Sequence, residues 1–410
     1  MKILFLDAYF YPETIAFSHL EWDILEGLKK AGHDITVVCP TPSRGVDEDV
    51  FRKYQNILDE EYRGIHIKRF KAPREGKNPV KRAFRYFYCN IKGLSTAKKL
   101  RDIDVIFSDS TPPTQGYFAG KLAKKLSLPL VYSLQDVFPD TLLSSGLMKR
   151  KSLLYRIGLK IEKKTYQNAT KIIVISKTIH DLLLTKGVDE QKLITVSNWI
   201  DDDQVMRVER SDNTLISEFG IDPEKFLVVY AGNFGGTQGT EVIAQAAMLL
   251  KDHPDIRFVV FGGGTDYEKC EAFVRENRLE NIQLNPLQPL ERISEVYSLG
   301  NVALIPSRKG YSKTGMASKT WSIMACETPI IASYDTDSEF ADILREYHAG
   351  VCVEPENAAA LKEAIVKAYE SYQKGEFPPK DAKGREYVRN HASREICVKK
   401  YVDCFESVVG

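Results

Sequence analysis

Short runs of apolar residues alternate with amphipathic segments along the first half of the chain. Lys2–Asp7 predicts a buried strand, and His19–Ala31 predicts a helix because its leucines and isoleucine recur every three or four residues. Further strands are predicted at Ile35–Cys39, Val105–Ser108, Leu130–Leu134 and Lys171–Ser176. Repetition of strand, helix and strand predicts a parallel sheet with helices on both faces.

The same alternation begins again after residue 225. The predicted elements, strand first and then in alternation, are Phe226–Gly232, Thr240–Leu250, Arg257–Gly262, Glu268–Asn277, Asn281–Leu284, Ile293–Leu299, Val302–Pro306, Lys319–Cys326 and Pro329–Ala332. The Asp-rich stretch from Asn198 to Asn213 is the best candidate for a hinge. We therefore predict an α/β protein of two Rossmann-like, doubly wound parallel-sheet domains that face each other across a cleft. They span 1–197 and 198–388, and a C-terminal helix at 389–410 returns to the first domain.

Composition excludes several classes of protein. The 410 residues carry a formal net charge of +1, so no global field favours nucleic acid. The seven cysteines form neither CxxC pairs nor Cys/His clusters, which predicts buried thiols in a reducing cytosol rather than disulfides or a zinc site. The apolar run at the N-terminus is too short for a signal peptide, and no stretch approaches the roughly 20 apolar residues of a transmembrane helix.

Two glycine-rich loops follow neighbouring predicted strands. The first runs from Tyr230 to Gly239, and its glycines and the helix after it suit an anion such as a diphosphate. Its spacing fits neither a Walker loop nor a dinucleotide fingerprint. The second is Phe261–Thr265. The alternative for each loop is a tight turn without a ligand. The donor-binding residues predicted here are Gly232, Asn233, Phe234, Gly235, Gln238, Gly239, Gly262 and Gly263.

A cationic loop, from Pro306 to Ala317, leads into the apolar helix predicted at Lys319–Cys326. We expect Ser318 to cap this helix, Thr320 to lie in its first turn, and both to contact the donor. Lys319 there would oppose the helix dipole unless an anion is bound, which indicates phosphate binding; the alternative is a solvated lysine. After the next strand, Glu339 could accept hydrogen bonds from a ribose or sugar, or could belong to a capping segment.

Taken together, these motifs resemble the family 4 retaining glycosyltransferases. The resemblance covers nearly the whole chain and is strongest to the O-antigen and exopolysaccharide enzymes of the WbuB and WcaI type. It rests on Tyr9–Glu13, Gln135–Asp140, Val196–Asp201, the first glycine loop, Ser318-Lys319 and Met324–Ala332. It implies the GT-B fold, no cofactor and no metal. It also implies a nucleotide-diphosphate sugar donor, with UDP the first choice, and a lipid-linked or saccharide acceptor.

Several residues depart from the family pattern. Asn233 and Gln238 stand where the family usually has Arg and Lys on the diphosphate. The two family glutamates fall on Thr314 and Ser322. Positive charge must then come from elsewhere, with Lys319 the first candidate, ahead of Arg308 and Lys313. Glu339 could replace the lost carboxylate at the ribose.

The mechanism implied by the resemblance is electrostatic, with donors aimed at the charge that grows on the leaving diphosphate. The catalytic residues predicted are Lys319 and Asp136, of which Asp136 would orient hydroxyl groups or, alternatively, cap the turn at Pro139. Acceptor or sugar contacts are predicted for Glu13, Thr14 and His19, although a lone histidine at a helix start is more often structural.

Two segments are strongly basic. Between Arg63 and Arg101 there are thirteen Lys and Arg against one acid, with aromatic residues interleaved, and Lys149–Lys171 has eight against one. This pattern favours an anionic membrane surface and a polyprenyl-diphosphate acceptor, and so a cytoplasmic protein peripheral to the plasma membrane. The alternative is a solvated helix face.

Two other functions stay open at this stage. A nucleotide-sugar 2-epimerase of the same fold would need catalytic carboxylates and histidine, and would release an isomerised donor without an acceptor. A non-enzymatic sugar-binding protein would normally be exported, which the lack of a signal peptide disfavours. Nucleic acid has no recognition motif here.

Overall fold

The computed structural model describes residues 1–13, 17–76, 78–144, 148–236, 238–380 and 382–409. The chain forms two compact units. The N-terminal unit contains Met1–Leu143, Met148–Ser197 and the chain from Glu395 onward, and the C-terminal unit contains Asn198–Arg394. Each unit has its own parallel sheet, so the prediction of two Rossmann-like α/β units is confirmed.

The sheet of the N-terminal unit has eight strands in the order β3-β4-β2-β1-β5-β6-β7-β8. All neighbours are parallel except the pair β3 and β4. The strands are β1 (Lys2–Leu6), β2 (Asp34–Pro40), β3 (Asp59–Tyr62), β4 (Ile65–Phe70), β5 (Val105–Asp109), β6 (Leu130–Leu134), β7 (Lys171–Val174) and β8 (Leu193–Thr195). The central strands are almost entirely apolar because helices cover both of their faces.

The helices of this unit include three that lie side by side, with α4 between α3 and α6. The α-helices described before residue 198 are α1 (Ser18–Lys30), α2 (Glu48–Tyr54), α3 (Pro79–Ala97), α4 (Gln115–Leu126), α5 (Asp140–Ser144), α6 (Leu153–Asn168) and α7 (Lys177–Thr185). Within the described parts of the chain, no helix has both the length and the apolar character needed to cross a bilayer.

The sheet of the C-terminal unit has six parallel strands in the order β11-β10-β9-β12-β13-β14. They are β9 (Phe226–Asn233), β10 (Ile256–Gly263), β11 (Ile282–Pro286), β12 (Val302–Pro306), β13 (Ile330–Ser333) and β14 (Gly350–Val353). The helices are α8 (Thr214–Phe219), α9 (Glu241–Leu249), α10 (Tyr267–Glu276), α11 (Ile293–Ser298), α12 (Thr320–Ala325), α13 (Glu339–Glu346), α14 (Ala358–Gln373) and α15 (Gly384–His391). The order reverses at β9, between β10 and β12, which is where a doubly wound sheet opens a crevice.

The C-terminal end of the chain departs from the single predicted helix. It forms α15 and a separate helix α16 (Arg394–Ser407), because the backbone at the break bonds to another segment. Ile200 N donates to the carbonyl of Ala392 at 3.2 Å, and Arg394 N donates to the carbonyl of Ile200 at 2.9 Å. In the N-terminal unit, Tyr401 of α16 hydrogen-bonds Ser133 at 3.0 Å and Phe405 packs near Phe5.

Candidate functional site

The first glycine loop begins at the end of β9, where Gly232 lies beside Lys319. Gly232 has φ +152°, and a Cβ at this position would lie 2.5 Å from Lys319 Nζ. The ammonium lies 4.3 Å from the centroid of the Tyr230 ring. The missing side chain therefore makes room for a cation at the carboxyl edge of the sheet.

The charge of Lys319 is poorly compensated. Among the residues that the structure describes, none offers its ammonium a carboxylate or a hydrogen-bond acceptor. The residue is only half-buried, yet the protein around the ammonium lowers its pKa to about 8 by desolvation. A desolvated ammonium that has no carboxylate beside it is energetically unfavourable, and a bound anion would relieve this cost. The arrangement therefore indicates an anion site.

The remainder of the first glycine loop is held by its own polar groups. Tyr230 donates to the carbonyl of Asn233 at 3.1 Å, and Gln238 N donates to the carbonyl of Gly235 at 3.1 Å. Phe234 is 1 % exposed and packs edge-on against Tyr230, so a donor contact from Phe234 would have to use its backbone. The Asn233 side chain is exposed and able to contact a ligand.

Gly239 and the second glycine loop meet other parts of the unit closely. A Cβ at Gly239 would lie 2.9 Å from the carbonyl oxygen of Ser307, and one at Gly262 would lie 2.5 Å from the Phe234 ring. Packing alone thus requires glycine at both positions. Gly263 instead faces open space, and its carbonyl accepts from Phe234 N at 2.7 Å.

Arg308 fastens the first glycine loop to the neighbouring strand. Its guanidinium donates to Glu356 at 2.6 Å, to Glu241 at 2.5 Å and to the carbonyl of Gly236 at 3.2 Å. Two carboxylates therefore balance its charge. Lys313 is exposed. Of the three cations considered from sequence, Lys319 is the one that is both desolvated by the protein and without a carboxylate among the described residues.

The start of α12 corrects one prediction. The residue at the N-cap position is Lys319, not Ser318, and no side chain caps the helix. Ser318 is exposed. Thr320 is fully buried, and both its hydroxyl (2.6 Å) and its backbone N–H (3.1 Å) donate to the carbonyl of Ala317. Because Thr320 closes this turn locally, Ser318 is not needed as a cap.

The acidic segment after β13 has divided roles. Asp335 is buried and accepts from Gly310 N at 2.8 Å and from the Ser312 hydroxyl at 2.7 Å, so it fixes the cationic loop. Ser338 is the N-cap of α13 and accepts from Ala341 N at 3.2 Å. Glu339, the first residue of α13, is half-buried and its role at the ribose stays a prediction.

Glu13 joins two loops at the carboxyl edge of the other sheet. Its Oε1 accepts from Ser43 N at 2.7 Å and from Arg44 N at 2.6 Å. Oε2 is buried without a partner among the described residues. Burial raises the pKa of Glu13 to about 7, although the two backbone N–H groups oppose the shift.

Asp136 follows β6 at the same edge. Its surface is exposed, yet the surrounding protein raises its pKa to about 6 by desolvation. No described residue hydrogen-bonds its carboxylate, so a cap on the turn at Pro139 is not seen. His19 is an exposed residue in the first turn of α1. Thr14 lies outside the described residues, and its contact with the acceptor stays a prediction.

Three carboxyl groups that sequence reasoning missed lie close together in the N-terminal unit. Asp7 follows β1, Asp109 ends β5 beside it, and Glu21 is on α1. Burial raises the pKa of all three, and Asp7 and Glu21 hydrogen-bond each other. The pattern that could have revealed them is an acid at the end of two neighbouring buried strands. Within the described ranges, no three His, Cys, Asp or Glu side chains are placed to hold a metal ion.

Two sequence families match this chain and together cover most of it. Residues 22–204 match Glycosyltransferase Family 4, and residues 211–390 match Glycosyl transferases group 1. The chain is a family 4 glycosyltransferase. The sequence-based resemblance is therefore confirmed.

Relatives of this glycosyltransferase span most of its length. WcaI of Escherichia coli (strain K12), named as a colanic acid biosynthesis glycosyl transferase, is 24% identical over 98% of this chain and 99% of its own. WbjE of Pseudomonas aeruginosa, named as a glycosyltransferase, is 26% identical over 83% and 84% of the two chains.

Solved structures show the same GT-B fold. Sucrose-phosphate synthase from Thermosynechococcus elongatus has a TM-score of 0.77 at 16% identity, covering 99% of this glycosyltransferase and 98% of its own chain. HepE from Anabaena, solved in complex with UDP, has a TM-score of 0.73 at 14% identity, covering 99% and 100%.

Proposed function

We propose that this glycosyltransferase transfers a sugar, N-acetylated or deoxygenated, from a UDP-linked donor to a lipid-linked or saccharide acceptor in surface polysaccharide biosynthesis, with retention at the anomeric carbon. The colanic acid assignment in the name of WcaI supports the pathway, and the UDP bound to HepE supports the nucleotide. The domain roles follow from this proposal. Residues 198–388 bind the donor, and residues 1–197 bind the acceptor.

The observation that carries the proposal is the uncompensated ammonium of Lys319 beside Gly232. A diphosphate placed over Gly232 meets this ammonium with no side chain between them. The backbone N–H groups of Gly235, Gly236 and Gly239 and the side chains of Asn233 and Gln238 offer further donors around it. These neutral groups take the places in which the family usually has Arg and Lys.

In the proposed reaction, the bond between the anomeric carbon and the diphosphate oxygen breaks while the acceptor hydroxyl oxygen bonds to the same face of that carbon. The hydroxyl proton passes to the leaving phosphate oxygen. Lys319 and the glycine-loop amides stabilise the negative charge that grows on the diphosphate, which is the charge change that the transition state requires. Asp136 accepts a hydrogen bond from a sugar hydroxyl and orients it. A metal ion has no assigned task in this scheme.

Exposed apolar side chains support a membrane surface as partner. On α3, Phe84 is 67% exposed and Phe87 55%; on α6, Leu153 is 70% exposed and Leu154 68%. Lysines and arginines flank both groups, and α4 between them carries three lysines and no acid. Apolar anchors within a basic surface are the arrangement expected for binding to anionic lipid.

The donor proposal is tested with UDP, GDP, ADP and dTDP and their sugars in thermal denaturation, because a ligand of the folded state raises the melting temperature. We expect the UDP series to give the largest shift, and Lys319→Met to reduce it. Incubation of the chosen donor with and without acceptor is then followed by mass spectrometry. An isomerised donor formed without acceptor would indicate the epimerase, and the absence of any shift would refute the donor site.

The membrane partner is tested by sedimentation with vesicles. We expect binding to vesicles rich in phosphatidylglycerol but not to pure phosphatidylcholine. The double variant Phe84→Ser/Leu153→Ser should lose this binding. Leu287→Ser/Leu290→Ser is the matched control, because those leucines are 53% and 58% exposed in the C-terminal unit. Equal loss in both double variants would contradict the assignment.

A further inference from the structure

The arginines near the carboxyl edge of the sheet in the N-terminal unit differ in what balances their charge. Four of them form ion pairs: Arg69 with Glu60 at 2.5 Å, Arg74 with Glu48 at 2.5 Å, Arg82 with Glu75 at 3.0 Å and Arg85 with Glu75 at 3.5 Å. Arg44 is different. No hydrogen bond or ion pair joins its guanidinium to any residue in the described ranges.

Although its guanidinium is exposed, Arg44 is held in place. Its backbone N–H donates to the buried carboxyl of Glu13 at 2.6 Å. Its guanidinium carbon lies 5.3 Å from the centroid of the Tyr9 ring. Tyr9 is itself 1 % exposed and donates to Glu75 at 2.6 Å. Backbone and ring thus restrict Arg44 on two sides while its N–H groups remain available.

We propose that Arg44 binds an anionic group of the acceptor, either a phosphate or a sugar carboxylate. A guanidinium presents paired N–H donors that match two oxygens of such a group, and contact with an aromatic ring leaves those donors pointing outward. The position is suitable because Arg44 follows β2 at the edge where Asp7 follows β1. This inference rests on the proposed function, since only a transferase has an acceptor to hold.

Glu13 is then a positioning residue for Arg44. Its Oε1 holds the backbone N–H groups of Ser43 and Arg44 together, and Arg85 donates to the Ser43 hydroxyl at 2.5 Å from the other side. A glutamine at position 13 keeps a carbonyl oxygen for both N–H groups, whereas alanine removes it. If Glu13 acts by positioning Arg44, glutamine should replace it and alanine should not. If Glu13 contacts the ligand directly through its charge, neither substitution should preserve binding.

The test is isothermal titration of the full chain with three probes: geranyl diphosphate, a glucuronic acid disaccharide and neutral geraniol. We expect one anionic probe to bind the wild type and to bind Arg44→Gln about tenfold more weakly or worse, with Arg44→Lys between them, because a charge-assisted hydrogen bond is lost. Arg52→Gln is the matched control; its arginine is exposed and paired with Glu48 at 3.2 Å. Glu13→Ala should weaken the same probe and Glu13→Gln should restore it.

The outcomes are distinguishable. Binding of geranyl diphosphate identifies a lipid-linked phosphate, and binding of the disaccharide identifies an acidic sugar. The proposal is overturned if the wild type binds neither anionic probe, if geraniol binds equally well, or if Arg44→Gln matches Arg52→Gln. Titration of UDP into each variant is the separate check on the donor site. If the wild type does not bind UDP, the proposed function itself is refuted. If UDP and the anionic probes bind the Arg44 variants as tightly as the wild type, only the role of Arg44 is refuted.

Discussion

Replacing Lys319 with methionine tests whether this lysine serves to bind an anion rather than to stabilise the C-terminal unit. Methionine has a similar length and can keep the apolar contact with Tyr230, but it removes the charge. If the ammonium is present only to meet a diphosphate, its loss should stabilise the ligand-free protein and weaken donor binding. A lysine with a structural role would instead destabilise the protein when it is removed.

The pKa of Lys319 sets the size of the effect. It falls from its usual 10.5 to about 8 because the ammonium is desolvated. A difference of about 2.5 pH units corresponds to roughly 3 kcal/mol at most, since each unit is about 1.4 kcal/mol. The folded state binds fewer protons than the unfolded state between pH 8 and 10.5, so the free energy of unfolding should rise with pH in this window. Below pH 8 the folded protein carries the full free-energy cost of the desolvated, charged ammonium.

Chemical denaturation of wild type and Lys319→Met at pH 7 and pH 10, with and without UDP, measures these differences. Without ligand at pH 7, the variant should be more stable than wild type. Its free energy of unfolding should not show the increase between pH 8 and 10 that we expect of the wild type. With UDP, the wild type should gain more stability than the variant. Lys313→Met is the matched control, because Lys313 is exposed.

A Lys319→Met protein that is less stable than wild type at pH 7 without ligand would refute this reasoning. So would UDP binding of equal strength in both proteins. The first result would mean that the ammonium contributes to the fold, and the second that the diphosphate lies elsewhere. An equal response in Lys313→Met would show that any lysine in this loop serves, and would remove the special role of the site beside Gly232.

Three further substitutions give independent checks. Gly232→Ala places a Cβ 2.5 Å from Lys319 Nζ and should weaken UDP binding about tenfold in calorimetry, with an unchanged circular dichroism spectrum. We expect kcat/KM of the wild type to rise with pH through about 6, because the pKa of Asp136 is raised to about 6 and its carboxylate is needed ionised; Asp136→Asn should abolish this rise. Glu13→Gln should be more stable than wild type above pH 7, by at most about 3 kcal/mol in denaturant titrations, and no more stable below pH 4.5. The stability gained by protonating Glu13 is lost as pH rises from 4.5 to about 7, and glutamine keeps its hydrogen bonds.

Buried strands were the easiest elements to predict. The limits of β1, β9 and β12 agree with the apolar runs to within one residue, because a parallel strand covered on both faces is apolar throughout. β3, with the sequence Asp-Glu-Glu-Tyr, has no such run, since it lies at the edge of the sheet. Its pairing with β4 fixes it, and no local pattern records that pairing. The break between α15 and α16 was missed for the same reason, because a bond to Ile200 causes it.

Chain order predicted which loops reach the carboxyl edges, but not what each residue does there. The glycines were explained from sequence by the close approach of a ligand. Some of them are required by packing instead, because a side chain at Gly262 would collide with the Phe234 ring. Phe234 itself belongs to the core. The sequence selected Lys319 as an anion-binding residue because its charge would oppose the dipole of the following helix. The structure adds a second reason that the sequence did not contain. Lys319 lies at the N-cap position, and desolvation is what lowers its pKa.

Which cations are available to a ligand depends on long-range pairing, which the local sequence does not record. The sequence placed Arg308 behind Lys319, and the structure supplies a reason that no local pattern contained: Glu241 and Glu356, 67 and 48 positions away, balance Arg308. In the N-terminal unit, thirteen basic residues against one acid suggested a uniformly positive surface. Several of them are neutralised by acids from outside that segment. Arg44 lies outside the segment altogether, and its guanidinium has no partner among the described residues. We therefore expect local charge density to indicate the surface that meets lipid, and binding of a specific anion to depend on the cations that have no partner among the described residues.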